Sequence, residues 1–128
     1  MSTDEKVKKI LVIDDSTSIR AFIRTILEEA GYNVVEAENG EVGINLYKTG
    51  NFDLVITDVY MPIRSGLEVV LELKKGYSNT KIIVLSDGGS ENFTNNNELC
   101  EALGASLFLS KSKIKSDLIP SINRVIGE

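Results

Sequence analysis

"KILVIDDSTSIR", Lys9 to Arg20, sets a run of branched aliphatic residues, Ile10 to Ile13, against two adjacent acids, Asp14 and Asp15. A short continuous apolar run is the pattern of a strand covered on both faces, as in a parallel sheet. The acids fall where the chain leaves the core, although mutual repulsion and partial burial both work against ionised carboxylates there. Comparable β-like runs follow at Asn33 to Ala37, Leu54 to Thr57, Lys81 to Leu85 and Ser106 to Leu109.

Helical periodicity fills the intervals between them. Ile19, Phe22, Ile23, Ile26 and Leu27 recur on one face, with Ser16 or Asp15 available as N-cap and Gly31 as a stop. A second helix is expected over about Gly40 to Thr49 with Ile44 and Tyr47 inward, and a third on Leu67, Val70, Leu71 and Lys74, after a loop marked by Pro62 and Gly66. The Gly- and Asn-rich stretch from Gly88 to Asn97 predicts a long loop and a late-starting fourth helix near Asn96 to Leu103. Leu118, Ile122, Val125 and Ile126 give the last helix; because Pro120 is tolerated in a first turn, its start is expected near Asp117 or Leu118. Alternating strands and helices predict an α/β fold, a doubly wound parallel sheet with helices on both faces.

Composition bounds what such a fold could do. One domain is expected in 128 residues, with no apolar stretch near the roughly 20 residues of a membrane span and no secretory leader, so a cytoplasmic location follows as the expectation. A net charge of -5 disfavours direct nucleic-acid binding. The lone Cys100 excludes an internal disulfide and is expected to be a small buried apolar residue. Histidine is absent, which removes histidine-based zinc sites, Ser-His-Asp triads and any phosphohistidine carried by the chain itself.

In a parallel sheet the residues just past the strand ends meet at one rim, where ligands bind. Asp14 and Asp15 follow the first strand, Asp58 the third, Ser86 the fourth and Lys111 the fifth. Any one of these could be a helix cap, but their coincidence is harder to ascribe to capping. Two carboxylates about 4 Å apart repel by roughly 4 kcal/mol at an effective dielectric of 20, so a bare cluster is unfavourable. A divalent cation reverses that sign, and clustered carboxylates suit Mg²⁺. A carboxylate nucleophile beside Mg²⁺, a lysine and a hydroxyl also suits phosphoryl transfer.

"VIDDS" and "LVITDVYMPIRSG", with Met61, Pro62 and Gly66 after Asp58, resemble the receiver domain of two-component response regulators, over about residues 8–126. The resemblance implies a flavodoxin-like sheet of order 2-1-3-4-5. It also implies that Asp58 accepts a phosphoryl group from the phosphohistidine of a sensor histidine kinase or histidine phosphotransfer protein. Asp14, Asp15, Asp58 and the main-chain carbonyl of Tyr60 would then hold Mg²⁺. Ser86 falls on the switch hydroxyl, Lys111 on the lysine that contacts the phosphoryl group, and Phe108 on the aromatic switch position. Such a chain is expected to be a stand-alone receiver without an output domain, no enzyme in the sense of turning over an external substrate, and active without nucleic acid or membrane.

The chain departs from the family at Ser112, where proline usually follows the lysine, and in a long interval from Ser86 to Lys111. A cis bond before a non-proline residue costs about 2.5 to 4 kcal/mol, so either the Lys111 to Ser112 bond is trans with a reshaped loop or strain is retained. Other readings remain at this point. A hydrolase of the haloacid-dehalogenase type wants a second Asp two residues after the nucleophile, where this chain has Tyr60. A flavodoxin-like cofactor protein would bring a flavin phosphate against Asp14 and Asp15. A receiver fold acting without phosphorylation has no need of so complete a polar rim.

Overall fold

The computed structural model describes residues 7–61, 63–77, 79–86, 102 and 104–126. Its five strands are β1 (Lys9–Ile13), β2 (Asn33–Ala37), β3 (Leu54–Asp58), β4 (Ile82–Ser86) and β5 (Leu107–Ser110). Every neighbouring pair is parallel and the order is β2-β1-β3-β4-β5, the doubly wound sheet expected from the sequence. The aliphatic runs are continuous because successive side chains serve opposite faces. Ile10 and Val12 enter one core with Ile56, Ile83 and Leu85, whereas Leu11 and Ile13 enter another with Val55, Ile82 and Val84.

Helices cover both faces. α1 (Thr17–Glu29) and α4 (Ile114–Ile126) close the first core through Ile23, Leu27, Leu118 and Ile122; α2 (Gly40–Thr49) and α3 (Gly66–Gly76) close the second through Ile44, Val69, Val70 and Leu73. Ser16 is the N-cap of α1, its Oγ accepting from the Ile19 N–H at 3.2 Å. Gly31 has φ +97°, a left-handed conformation that strains other residues, which is why the chain turns from α1 into β2 there. Among the described residues no helix is long and apolar enough to cross a membrane.

Three sequence expectations need correction. Phe22 and Leu71 belong to the apolar periodicity yet are 43% and 50% exposed, because the buried stripes centre on Ile23 and Leu27 in α1 and on Val69, Val70 and Leu73 in α3. The last helix begins at Ile114 rather than near Asp117, so Pro120 lies inside it. Ile114 and Leu118 are buried one turn apart, and their packing extends the helix ahead of the proline. The break at Pro120 falls on the exposed side, where water can take the Ser116 carbonyl that the missing N–H leaves free. Of the expected fourth helix only Ala102 is described, and it is helical, while the Gly88 to Asn97 loop and Cys100 lie outside the described residues.

Candidate functional site at the C-terminal sheet rim

Parallel register brings the acids together. Ile13 is level with Thr57, so Asp14 and Asp58 leave adjacent strands side by side, while Asp58 pairs with Leu85 and Ser86 with Ser110. One oxygen each from Asp14, Asp15 and Asp58 lie within 4.8 Å of one another. Asp14 is fully buried and Asp58 is 5% exposed, whereas Asp15 is exposed. Lys111, immediately after β5, reaches across the rim, with Nζ 3.1 Å from Asp58 Oδ2 and 3.3 Å from Asp14 Oδ2.

Three carboxylates against one ammonium leave an excess of negative charge in a partly desolvated place. Burial, with the Asp14 carboxylate beside it, pushes the Asp58 carboxyl up to about 6 from its ordinary 3.8, against the pull of Lys111 and of an N–H bond from the Tyr60 backbone. Burial alone would lower the Lys111 ammonium, yet Asp58 and Asp14 hold it above its ordinary value. Among the described residues the buried Oδ2 of Asp14 has no hydrogen-bond partner beyond that ion pair, and the buried Ser86 Oγ has none. Unpaired buried polar atoms of this kind cost about 1 to 3 kcal/mol each, and here both belong to rim residues. The oxygen-only donor set is the one a hard divalent cation takes.

Local backbone fixes these groups. The Ser16 N–H donates to Asp14 Oδ1 at 2.8 Å, so the residue that caps α1 also orients the first acid. Gly66 lets α3 start hard against β3: a Cβ there would collide with the Asp58 carbonyl oxygen, and its N–H donates to the Val59 carbonyl at 2.9 Å. The Lys111–Ser112 bond is trans, and Lys111–Lys113 form a 3-10 turn. That is the reshaped loop, and it uses a donor that proline lacks, since the Ser112 N–H bonds Ser110 Oγ at 3.3 Å.

The described structure therefore gathers Asp14, Asp15, Asp58 and Lys111, with Ser86 buried at the end of the next strand. Tyr60 follows on the loop with its side chain 55% exposed. Phe108 is half-buried against the second core, in register with Val84. Sequence reasoning missed Arg20, whose Nη1 donates to the Asp14 carbonyl at 2.7 Å while Nε pairs with Glu36 at 2.8 Å. An arginine in a first helical turn carries no mark that separates such a brace from a solvated side chain.

Comparison with known proteins agrees with the fold. The chain matches the response regulator receiver domain over residues 10–123. It is 33% identical to the chemotaxis protein CheY of Thermotoga maritima across 92% of this chain and 97% of that protein. The structure of CheY4 from Vibrio cholerae superposes with a TM-score of 0.85 at 31% identity, covering 94% of this chain and 99% of that one. The response regulator TrrA of Thermotoga maritima, solved in complex with Mg²⁺ and BeF, superposes at 0.83 with 36% identity, covering 92% and 98%. With that match running from Ile10 in β1 through β5 and across the rim acids, the chain belongs to the family of response regulator receiver domains.

Proposed function

We propose that Asp58 accepts a phosphoryl group from a phosphohistidine and that the added charge switches the surface of the domain. The observation that carries this reading is the rim itself: a desolvated carboxylate bridged to Lys111, with a buried hydroxyl at the end of the next strand that has no hydrogen-bond partner among the described residues. Asp14, Asp15, Asp58 and the Tyr60 carbonyl would hold Mg²⁺, a fit supported by the converging oxygens and the orphaned Asp14 Oδ2. When bound, the ion offsets the carboxylate charge and that of the phosphoryl oxygens.

An Asp58 oxygen attacks phosphorus in line, the new O–P bond forms as the N–P bond breaks, and the leaving electron pair stays on the donor imidazole. Lys111 Nζ, already 3.1 Å from Asp58 Oδ2, neutralises charge on the arriving group. Ser86 Oγ gains the acceptor it lacks, and the shift of its strand end toward the site makes room for Phe108 to move inward. The output is a population shift of the β4–β5 side of the domain. The donor would be a sensor histidine kinase or histidine phosphotransfer protein, and the protein would act in the cytoplasm as a stand-alone receiver, an acceptor rather than a turnover enzyme.

Intact mass measurement after incubation with acetyl phosphate and Mg²⁺ tests the assignment. One phosphoryl group is expected on the wild type and none on Asp58→Asn. Equal labelling of both proteins, or no labelling of either by acetyl phosphate or by a phosphorylated histidine phosphotransfer protein, would overturn it.

A further inference from the structure

At the other end of the sheet, where the strands begin, lies a cleft of about 600 Å³. Lys8 and Lys9 line it from the start of β1, Tyr47 and Lys48 from α2, Phe52 from the loop after α2 and Tyr77 from the end of α3. β1 separates it from the acid rim by about 16 Å at the usual rise per residue. Its size falls within the roughly 300–1,000 Å³ of small-molecule sites.

Its walls combine aromatic faces with ammonium groups. The Tyr47 and Phe52 rings stack with centroids 6.1 Å apart, and Tyr77 meets Tyr47 edge-on at 5.3 Å. The Tyr47 hydroxyl is tied to Thr80 Oγ1 at 2.8 Å, which holds the cluster in place, while Tyr77 remains 41% exposed. Lys9 Nζ sits 4.8 Å from the Phe52 centroid. Asp53, the acid in the cleft, is turned to the strand, its Oδ2 accepting the Lys9 backbone N–H at 2.8 Å. Among the described residues neither Lys8 nor Lys9 forms an ion pair. The whole chain carries -5, yet charge is screened over about 8 to 10 Å at physiological salt, so these local ammoniums set the potential an anion meets here.

Lysines alone would be a solvated rim and aromatics alone a small satellite cluster. A concave site holding both suits a ligand that joins the two chemistries, since aromatic faces stack on bases and lysines take phosphate. We propose that this cleft is a second binding site, for a planar heteroaromatic ring carrying phosphate, as in a mononucleotide, with the ring against Tyr77 and the phosphate at Lys8 and Lys9.

Amide NMR titration of the full chain with AMP and with GMP tests it, with adenosine and inorganic phosphate as separate arms. Saturable shifts are expected at residues 8, 9, 48, 53 and 77, with a Kd of about 0.1 to 1 mM for the nucleotides and at least about tenfold weaker binding of either fragment. Lys8→Gln with Lys9→Gln, and separately Tyr77→Ala, should each weaken nucleotide binding about tenfold while leaving the amides of residues 14, 58 and 111 in place. The proposal falls if no nucleotide gives saturable shifts up to about 10 mM, if inorganic phosphate binds as tightly as AMP, or if the shifts map only to the acid rim.

Discussion

Replacing Asp58 with asparagine should make the metal-free protein more stable at neutral pH. The ionised Asp58 carboxylate is held in an unfavourable place, and its folded value of about 6 lies above the ordinary 3.8. A raised folded value means that the native state binds the proton more tightly than the unfolded chain. The penalty is therefore fully present above about pH 6 and relieved as pH falls toward 3.8. At about 1.4 kcal/mol per unit, the difference amounts to about 3 kcal/mol at pH 7, of which under about 1 kcal/mol remains at pH 4. Urea unfolding in EDTA reads this as a midpoint about 1 to 3 M higher for Asp58→Asn at pH 7, with the two curves converging near pH 4. Mg²⁺ should narrow the gap from the other side, because at 100 times its Kd a ligand stabilises the wild type by about 2.7 kcal/mol, whereas the variant has lost a carboxylate. Equal midpoints at pH 7, or a gap unchanged at pH 4, would refute the claim that desolvation and the neighbouring Asp14 strain this site.

Gly66→Ala should destabilise the fold by about 2 to 4 kcal/mol in urea, since the added Cβ meets the Asp58 carbonyl and the adjoining Val59 backbone, neither of which is a flexible side-chain end. Arg20→Met should cost about 2 kcal/mol through the lost charged bonds to the Asp14 carbonyl and Glu36, and should weaken Mg²⁺ binding in a titration followed by NMR. Glu36 is held below its ordinary value by hydrogen bonds from Arg24 and Arg20, so its share of stability is present above its unfolded value of 4.5 and lost as pH falls through the folded one. Glu36→Gln should accordingly flatten the acid limb of a pH-stability profile. Pro120→Ala should raise stability by about 1 to 3 kcal/mol in thermal unfolding, because Pro120 lies exposed within α4 and contributes no N–H to it.

The central strands β1, β3 and β4 were readable from the sequence because burial on both faces demands near-continuous aliphatic runs, and each of the five runs lies within one residue of its observed strand. The rim acids were readable for a related reason: parallel strands end on one edge, so acids that follow separate runs fall together there. What the sequence concealed depends on contacts between distant segments. Whether Phe22 or Ile23 faces inward is a rotation of α1 by one residue, which the sheet beneath decides. Arg20 becomes a brace only because β2 delivers Glu36 beside it, 16 residues later. The start of α4 likewise follows from Ile114 and Leu118 packing into the first core, a contact with segments far away in the chain. Of these hidden features, the Arg20 brace bears directly on the rim, through the Asp14 carbonyl. The visible signature states which atoms are gathered, while contacts such as the Arg20 brace and the Lys111 ion pairs hold an uncomfortable cluster of like charges together.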